Sequence, residues 1–516
     1  MTPAMEPEDK ETVTPSRDPE KNIPSSEDAS VREAQEIDDV PIPKTGHNLW
    51  EKLLNAGVEL RGMQPVPEAL RTDTRYLNIC TILLSSMTSL LPFSVGSAVP
   101  LFYGLNLRDS TLMIIFFNLI FCLPAAYIVT IAPLTGMRQM IQSRYVFGKY
   151  PNMLTTLVII LTAGGFGCTA TVIAGQSLSY LSDGSLSEPV GMLIIVLISL
   201  VVSFFGYRIL HIYERWAWIP VLVAIIFTVG CAGSDLKQPP QTTPTPPRQY
   251  LGVVAMASGS QLTWAMLVGD YCVYMPPTSP RLRLALYLMF GICFPYTVFQ
   301  IVAAAIAGAI PAHPSWQVAY GTHGIGGVLG AILDKVGGFG RFILCILSLS
   351  VVGSVSRDYY TVSVNLQVLL PVLNKVPRSL LAIVSAGAAF GVSVAASRSF
   401  YSSLTTFLSI IGYYGASFVA VTFIEWFHFR KAEPTSFDPS IWNDTRKLPT
   451  GFPALVSVLI PWALIVPAMD QSWYVGPIAK AAGDLGVFFA GIIAAVLYFP
   501  LRYWEIKRNG GRLQRG

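Results

Sequence analysis

Between residues 77 and 503 the chain is a succession of twelve apolar stretches. They lie at about 77–105, 110–133, 152–181, 190–206, 216–234, 251–275, 285–310, 340–370, 379–397, 400–427, 452–469 and 484–503. A helix needs roughly 20 apolar residues to cross the hydrocarbon core of a bilayer. The pattern therefore predicts an all-α membrane protein with twelve transmembrane helices and the lipid bilayer as its first partner. Composition agrees: 52% of the residues are hydrophobic and 13% charged, where a soluble domain carries about 25% charged residues. Pro- and Gly-rich breaks separate the stretches, the clearest being KQPPQTTPTPPRQ at 237–249, an extended loop.

The ends are of different material. Residues 1–45 are rich in Pro, Glu, Asp, Ser and Lys, and such a segment buries too little apolar area to offset its ordering entropy. It is expected to be a disordered cytosolic tail, followed by a cytosolic lead-in at 46–76, the transmembrane domain at 77–503 and a basic cytosolic tail at 504–516. The amino-terminal stretch lacks a basic region followed by a short apolar core, so the first span is expected to serve as the targeting signal. Lys and Arg collect in cytosolic loops, and here they alternate between loops. Arg138, Arg144 and Lys149, then Arg208 and Arg215, Arg281 and Arg283, Lys375 and Arg378, and Arg430, Lys431, Arg446 and Lys447 mark one side. SDGSLSEP at 182–189, with no basic residue, marks the other. Both termini are thus expected in the cytosol, and the sequon Asn443-Asp444-Thr445 should carry no glycan.

Several activities find no support in the residues. The net charge is +4 and the basic residues are scattered, which gives no nucleic-acid patch. The seven cysteines stand singly in apolar runs without metal-ligand or disulfide spacing, as small packing residues. There is no phosphate-binding glycine loop, nucleophile elbow or His-Glu-x-x-His motif. The chain is expected to be no enzyme and to need no cofactor or metal.

Two stretches are poorly suited to continuous helix. The first reads SSMTSLLPFSVGSAVPLFYGL, with Pro92, Gly96 and Pro100; the sixth reads SGSQLTWAMLVGDYCVYMPP, with Gly259, Gly269, Asp270 and Pro276. Irregular backbone at membrane depth survives only where it is buried or lines a wet cavity. Interrupted helices at corresponding positions of two halves point to the midplane site of a secondary transporter. Two ordinary proline kinks are the plainer alternative.

Five stretches carry a resemblance to a known family: PVPEALRTDTRYLNI at 65–79, LLPFSVGSAVPLFYGLNLRDS at 90–110, GMRQMIQSRYVFGKYP at 136–151, WAMLVGDYCVYMP at 264–276 and FLSIIGYYGASFVAVTFIEWFHFRK at 407–431. Together they resemble the fungal purine-cytosine permeases, a branch of the nucleobase:cation symporters. The resemblance implies a five-plus-five inverted repeat (LeuT-like) with two extra helices. It also implies proton-coupled uptake of a flat nitrogen heterocycle, most simply a nucleobase, across the plasma membrane, with Na+ a less favoured coupling ion. In that family span one offers Ser and Asn; here Ser85 matches, while Met87 and Ser89 stand at the Asn positions. A Trp and an Asn of span three become Phe166 and Ala170. The Asn-Asn-Ile-Pro-Asn-x-Tyr-Ser pattern of span eight becomes Ser354-Val355-Ser356-Arg357-Asp358-Tyr359-Tyr360-Thr361. The family's amides pair with the edge of a base, so their replacement opens a second reading, a pyridoxine-like vitamin. A non-transporting receptor that signals through its tail is a rival of another class.

The candidate site follows from this. A charge at the centre of a membrane helix costs about 2.5–3.5 kcal/mol, so Arg357 and Asp358 are expected to face the interior. They either bind substrate and move protons or lock span eight to spans one and three. Trp264 and Phe166 would sandwich a flat ring through their π-faces, with Ser85, Ser89 and Ser354 at its edge. Asp270 would carry a proton or cap exposed amides at the break. Glu425, His428 and Arg430 are expected to reach the interface from the end of span ten, and His313 and His323 to lie in an outer loop.

Overall fold

The computed structural model describes residues 64–204, 216–237, 244–370, 372–373 and 376–515. The expected acidic tail, residues 46–63 of the lead-in, the centre of the Pro-rich loop and the basic residues Arg208, Arg215 and Lys375 lie outside the described residues.

Fourteen helices carry the fold: α1 (Leu77–Met87), α2 (Leu90–Leu101), α3 (Leu107–Thr135), α4 (Asn152–Leu181), α5 (Glu188–Phe204), α6 (Trp218–Leu236), α7 (Pro247–Gln261), α8 (Arg281–Ala312), α9 (Pro314–Leu333), α10 (Gly338–Leu369), α11 (Arg378–Ser397), α12 (Phe400–Phe429), α13 (Phe452–Ala468) and α14 (Gly486–Arg508). Within the described residues each of the twelve apolar stretches holds helix, but they differ in length. Among the described residues eight helices are long and apolar enough to cross a membrane, and α1 with α2, bent by 56°, makes a ninth. Helices α5 and α13 are shorter, and α7 gives way to two 3-10 turns, Leu262–Met266 and Val268–Tyr271. A two-stranded antiparallel ribbon, Asp470–Gln471 with Tyr474–Val475, joins α13 to α14.

Two close approaches set the centre of the molecule. Helix α2 lies against α8 at Gly96, where a Cβ would stand 2.3 Å from Gln300 O, and α7 lies against α12 at Gly259, where it would stand 1.8 Å from Leu408 O. Only a residue without a side chain lets backbones meet this closely. Helix α4 packs against α5, α9 and α10 on the other side.

The break in the first span does not fall where its prolines are. The chain turns at Thr88 and Ser89, while Pro92 sits in the first turn of α2 and Pro100 near its end. A proline in a first turn costs little, because the amides there have no helical partner. Those of α2 are met from outside: Leu90 N donates to Ser350 Oγ at 3.2 Å and Leu91 N to Ser89 Oγ at 3.4 Å. The second break begins at Leu262, three residues after Gly259, whose place is inside α7.

Two further expectations are corrected. His323 is not in a loop but in the kinked helix α9, whose kink is at His323 and Gly324, the latter at φ 55°; His313 stands in the connection just before that helix. Alternating glycines and apolar residues let it pack against α4. Glu425 and Arg430, expected at the interface, are buried, at 0% and 1% exposure, because partners from α14 and the 138–149 loop reach them. The tail expected from residue 504 is helical to Arg508 and then docks: Arg515 N donates to Lys447 O at 2.9 Å.

Candidate functional site

The two breaks and α10 enclose a cavity of about 1220 Å³. Trp264, on the first 3-10 turn after α7, Phe166 of α4, and Arg357 and Asp358 of α10 all line it. The guanidinium of Arg357 lies 6.0 Å from the Trp264 ring centroid and donates to Ser86 Oγ of α1. Asp358, the next residue, turns toward α4: a Cβ on Gly167 would be 3.6 Å from Asp358 Oδ2. Adjacent residues of a helix project about 100° apart, which sends these two charges to different walls. Their closest approach, Arg357 Nη2 to Asp358 Oδ1, is 3.9 Å, longer than the about 2.7–2.9 Å of a charge-assisted hydrogen bond.

Phe166 stands in the run Gly164-Gly165-Phe166-Gly167. Its ring meets Phe407 edge-on at 5.7 Å, and Gly165 leaves the room that ring occupies. The local sequence thus places an aromatic in the cavity wall and lets α10 and α12 approach on either side of it.

Asp270, on the second 3-10 turn, accepts the amide of Gln139 at 2.7 Å. Gln139 opens a short helix in the basic loop after α3, and a carboxylate there meets both the orphan amide and the positive helix end. Further toward this end the cavity is lined by Arg138, Tyr271, Tyr274 and the lead-in residues Thr72, Asp73, Thr74 and Arg75. Thr72, Thr74 and Arg75 are exposed, so the cavity reaches the surface on the side of the basic loops. Asp73 and Arg75 pair at 3.0 Å, and Asp73 N donates to Tyr274 O at 3.0 Å. The Arg75 hydrogen bond holds the Asp73 carboxyl below its ordinary value. At the opposite end the half-buried Tyr401 of α12 and the buried Ser97 of α2 share a hydrogen bond of 2.9 Å.

Three expected site residues lie outside the cavity wall. Ser85 and Ser354 are buried in helix packing, and Ser354 Oγ donates to Val351 O at 2.9 Å. Ser89 caps α2. The break at Thr88 turns Ser86 and Met87, one or two residues along, toward Arg357 and the cavity instead. Sequence reasoning also passed over Tyr271, Tyr274 and Tyr296. The Tyr271-x-x-Tyr274 spacing beside Asp270 was a signal for the first two, since residues three apart share a helical face. Among the described residues no cluster of His, Cys, Asp or Glu could hold a metal ion.

Residues 65–488 match the family described as permease for cytosine/purines, uracil, thiamine, allantoin. The chain is 30% identical over 469 residues to the purine-cytosine permease FCY2 of Saccharomyces cerevisiae, covering 89% of this chain and 87% of that protein. It is 24% identical over 521 residues to the vitamin B6 transporter TPN1 of the same organism, covering 90% of each. Among solved structures it is similar to MHP1, a nucleobase-cation-symport-1 family transporter in a closed conformation with bromovinylhydantoin bound. That match has a TM-score of 0.65 at 14% identity and covers 87% of this chain and 96% of that one. At this identity the likeness shows a shared membrane-transporter fold.

Proposed function

Since the chain belongs to the family of permeases for cytosine/purines, uracil, thiamine and allantoin, we propose that it is a proton-coupled secondary transporter importing a small flat nitrogen heterocycle, a nucleobase first of all. The observation that carries this reading is the cavity at the two helix breaks, where Trp264, Phe166, Arg357 and Asp358 come together. The ring stacks on Trp264, with Phe166 as the second aromatic wall, and its polar edge meets Arg357 and Asp358. Irregular backbone at this depth leaves polar groups for the substrate to meet.

Transport proceeds by alternating access, with the spans arranged as two inverted repeats of five and two additional helices. The cavity reaches the surface beside the basic loops, while Ser97 and Tyr401 join α2 to α12 at the other end. Both features support our reading of an inward-facing carrier, with both termini in the cytosol and the plasma membrane as its site. Asp270 is the proton carrier: a protonated carboxyl accepts the Gln139 amide more weakly, which loosens the tie between the second break and the basic loop. No bond of the substrate is made or broken, and the coupling ion is H+ in preference to Na+.

A vitamin of the pyridoxine type is the second reading. It is favoured by the relative that transports vitamin B6 and by the charged pair where amides would read a base edge.

Uptake of labelled cytosine, adenine and pyridoxine in a host deleted for its own permeases tests the function. Accumulation that collapses with a protonophore, and that Trp264→Ala lowers at least about tenfold, is the expected result. Binding without accumulation would make the chain a receptor and end the carrier reading.

A further inference from the structure

We propose that the end of α14, its folded-back tail and the loop before α13 form a docking surface for anionic phospholipid headgroups. The lipid belongs to the leaflet on the side of the basic loops, and the surface is separate from the transport cavity.

Helix α14 turns one continuous stripe outward. Phe488, Ile492, Val496, Phe499 and Tyr503 are all exposed, and the exposed Lys507 is the next position along the stripe. Residues three or four apart share one helix face. At about 1.5 Å per residue, Phe488 to Lys507 spans about 28 Å, close to the roughly 30 Å of a hydrocarbon core. The stripe is thus the lipid-facing side of the helix, and it ends in an aromatic at the interface and then a cation at headgroup level. Beside it, the exposed Trp504 carries the Arg508 guanidinium 5.5 Å from its ring centroid.

Beyond Arg508 the chain folds back. Gly510 and Gly511 take φ of 69° and 83°, a left-handed backbone that residues with a Cβ seldom adopt. Arg502 Nη2 donates to Leu513 O at 2.9 Å, and Arg515 N donates to Lys447 O at 2.9 Å. Thr450 N donates to Glu505 at 2.8 Å, which lays the loop along the helix end. Arg446 and Lys447 are thereby fixed on the same end of the bundle as Lys507, Arg508 and Arg512, and all five are exposed.

The acids nearest in sequence are engaged. Glu505, the one acid between residues 500 and 515, is buried against Arg502 and Thr450. Asp444 Oδ1 accepts the Arg446 amide at 2.8 Å. Among the described residues none of the five cations makes a side-chain ion pair or hydrogen bond, whereas Arg144 and Lys149 nearby both bond to Asn443. Orientation in the bilayer requires basic residues in the loops; it does not require them pinned together on a reversed tail. A cluster of four to eight cations beside a span attracts anionic lipid, at about fivefold per cation. Because the cations continue a lipid-facing stripe, an acyl chain can lie along Val496 and Tyr503 while its phosphate meets Lys507 and Arg508. A soluble anion or an acidic peptide has no use for the apolar part.

The test uses the full-length protein in neutral detergent, titrated with phosphatidylcholine, phosphatidylserine or the chain-free headgroup glycerophosphoserine, with the melting temperature recorded. Phosphatidylserine should raise it beyond phosphatidylcholine at equal lipid-to-protein ratio, the excess should shrink with added salt, and glycerophosphoserine should give none. The variant combining Lys447→Gln, Lys507→Gln, Arg508→Gln and Arg512→Gln should need at least about tenfold more phosphatidylserine for the same rise, with its response to phosphatidylcholine unchanged. Equal shifts by the two lipids in the unaltered protein, or an excess that the variant retains, overturns the inference. A response to glycerophosphoserine as large as that to the lipid, or a larger one to an oligoglutamate peptide, overturns the lipid as occupant. The comparison of lipids needs no variant, so a misfolded one does not shelter the proposal.

Discussion

Arg502 Nη2 lies 2.8 Å from Glu425 Oε1, and neither side chain exposes more than 1% of its surface. Seventy-seven residues separate the two in sequence. Arg502 Nε donates to the other oxygen of Glu425 at 2.9 Å, Tyr498 donates to it at 2.8 Å, and Arg430 Nε lies 3.0 Å from Oε1. Glu505 accepts from Arg502 Nη1 at 2.6 Å and from Thr450 N at 2.8 Å. This buried network ties the ends of α12 and α14 to the loop between α12 and α13.

Removing Glu425 leaves two buried guanidiniums without their shared carboxylate. Breaking a buried pair from one side costs roughly 3–5 kcal/mol. Glu425→Gln should therefore lower the melting temperature of the detergent-purified protein strongly, while Glu68→Gln, on an exposed turn, should not. A melting curve unchanged by Glu425→Gln would show that the network does not hold the fold.

Asp270→Asn separates capping from proton carriage. An asparagine keeps an acceptor for the Gln139 amide but cannot ionise. The variant should reach the membrane at normal levels and take up substrate with a flattened dependence on external pH. A full pH dependence in this variant would clear Asp270 of coupling.

Tyr401→Phe removes one hydrogen bond, to Ser97, at the end of the cavity away from the basic loops. At about 1 kcal/mol for such a bond, the closed arrangement should lose roughly fivefold in population against the open one. Alkylation of a cysteine introduced at Ser260, which lines the cavity, from the outer side should quicken correspondingly. An unchanged rate would show that closure there does not depend on this bond.

Asp484, between the ribbon and α14, is buried and accepts from Tyr413 Oη at 2.5 Å and from Gly486 N at 3.0 Å. Gln471 Nε2 donates to the same carboxylate at 3.2 Å. Asp484→Ala takes the shared acceptor from three buried donors, and a buried donor left without its partner costs roughly 1–3 kcal/mol. The melting temperature of the purified protein should fall clearly, and Asp484→Asn, which keeps an acceptor, should lower it less; a melting curve unchanged by Asp484→Ala would refute the assignment.

Much of the site could be read from particular residues. Arg357 and Asp358 were conspicuous because each is costly in a membrane helix, and the Trp264–Asp270 stretch because its glycine and acid suit no continuous span. The position of the first break was not legible. Pro92 and Pro100 drew attention by chemistry, yet the turn is made at Thr88 and Ser89, where Ser350, 260 residues away, supplies the acceptor that α2 needs. That shift of three residues puts Met87 at the cavity and Ser86 on Arg357 in place of Ser85 and Ser89. Glu425 was misread for a related reason: its neighbours in sequence suggest an interface, and its partners are far along the chain.

Hydropathy and charge alone determined that this chain lives in a bilayer as a bundle of helices with a chemically loaded interruption in two of them. Both follow from local transfer energies, which each residue carries with it. Tertiary structure decided which of those polar groups meet: that Arg357 leans on Trp264 while Asp358 turns to Gly167, that α2 starts where Ser350 can cap it, and that Glu425 is matched to Arg502. Pairing of this kind depends on helices far apart in sequence being brought together, and no local free energy encodes it.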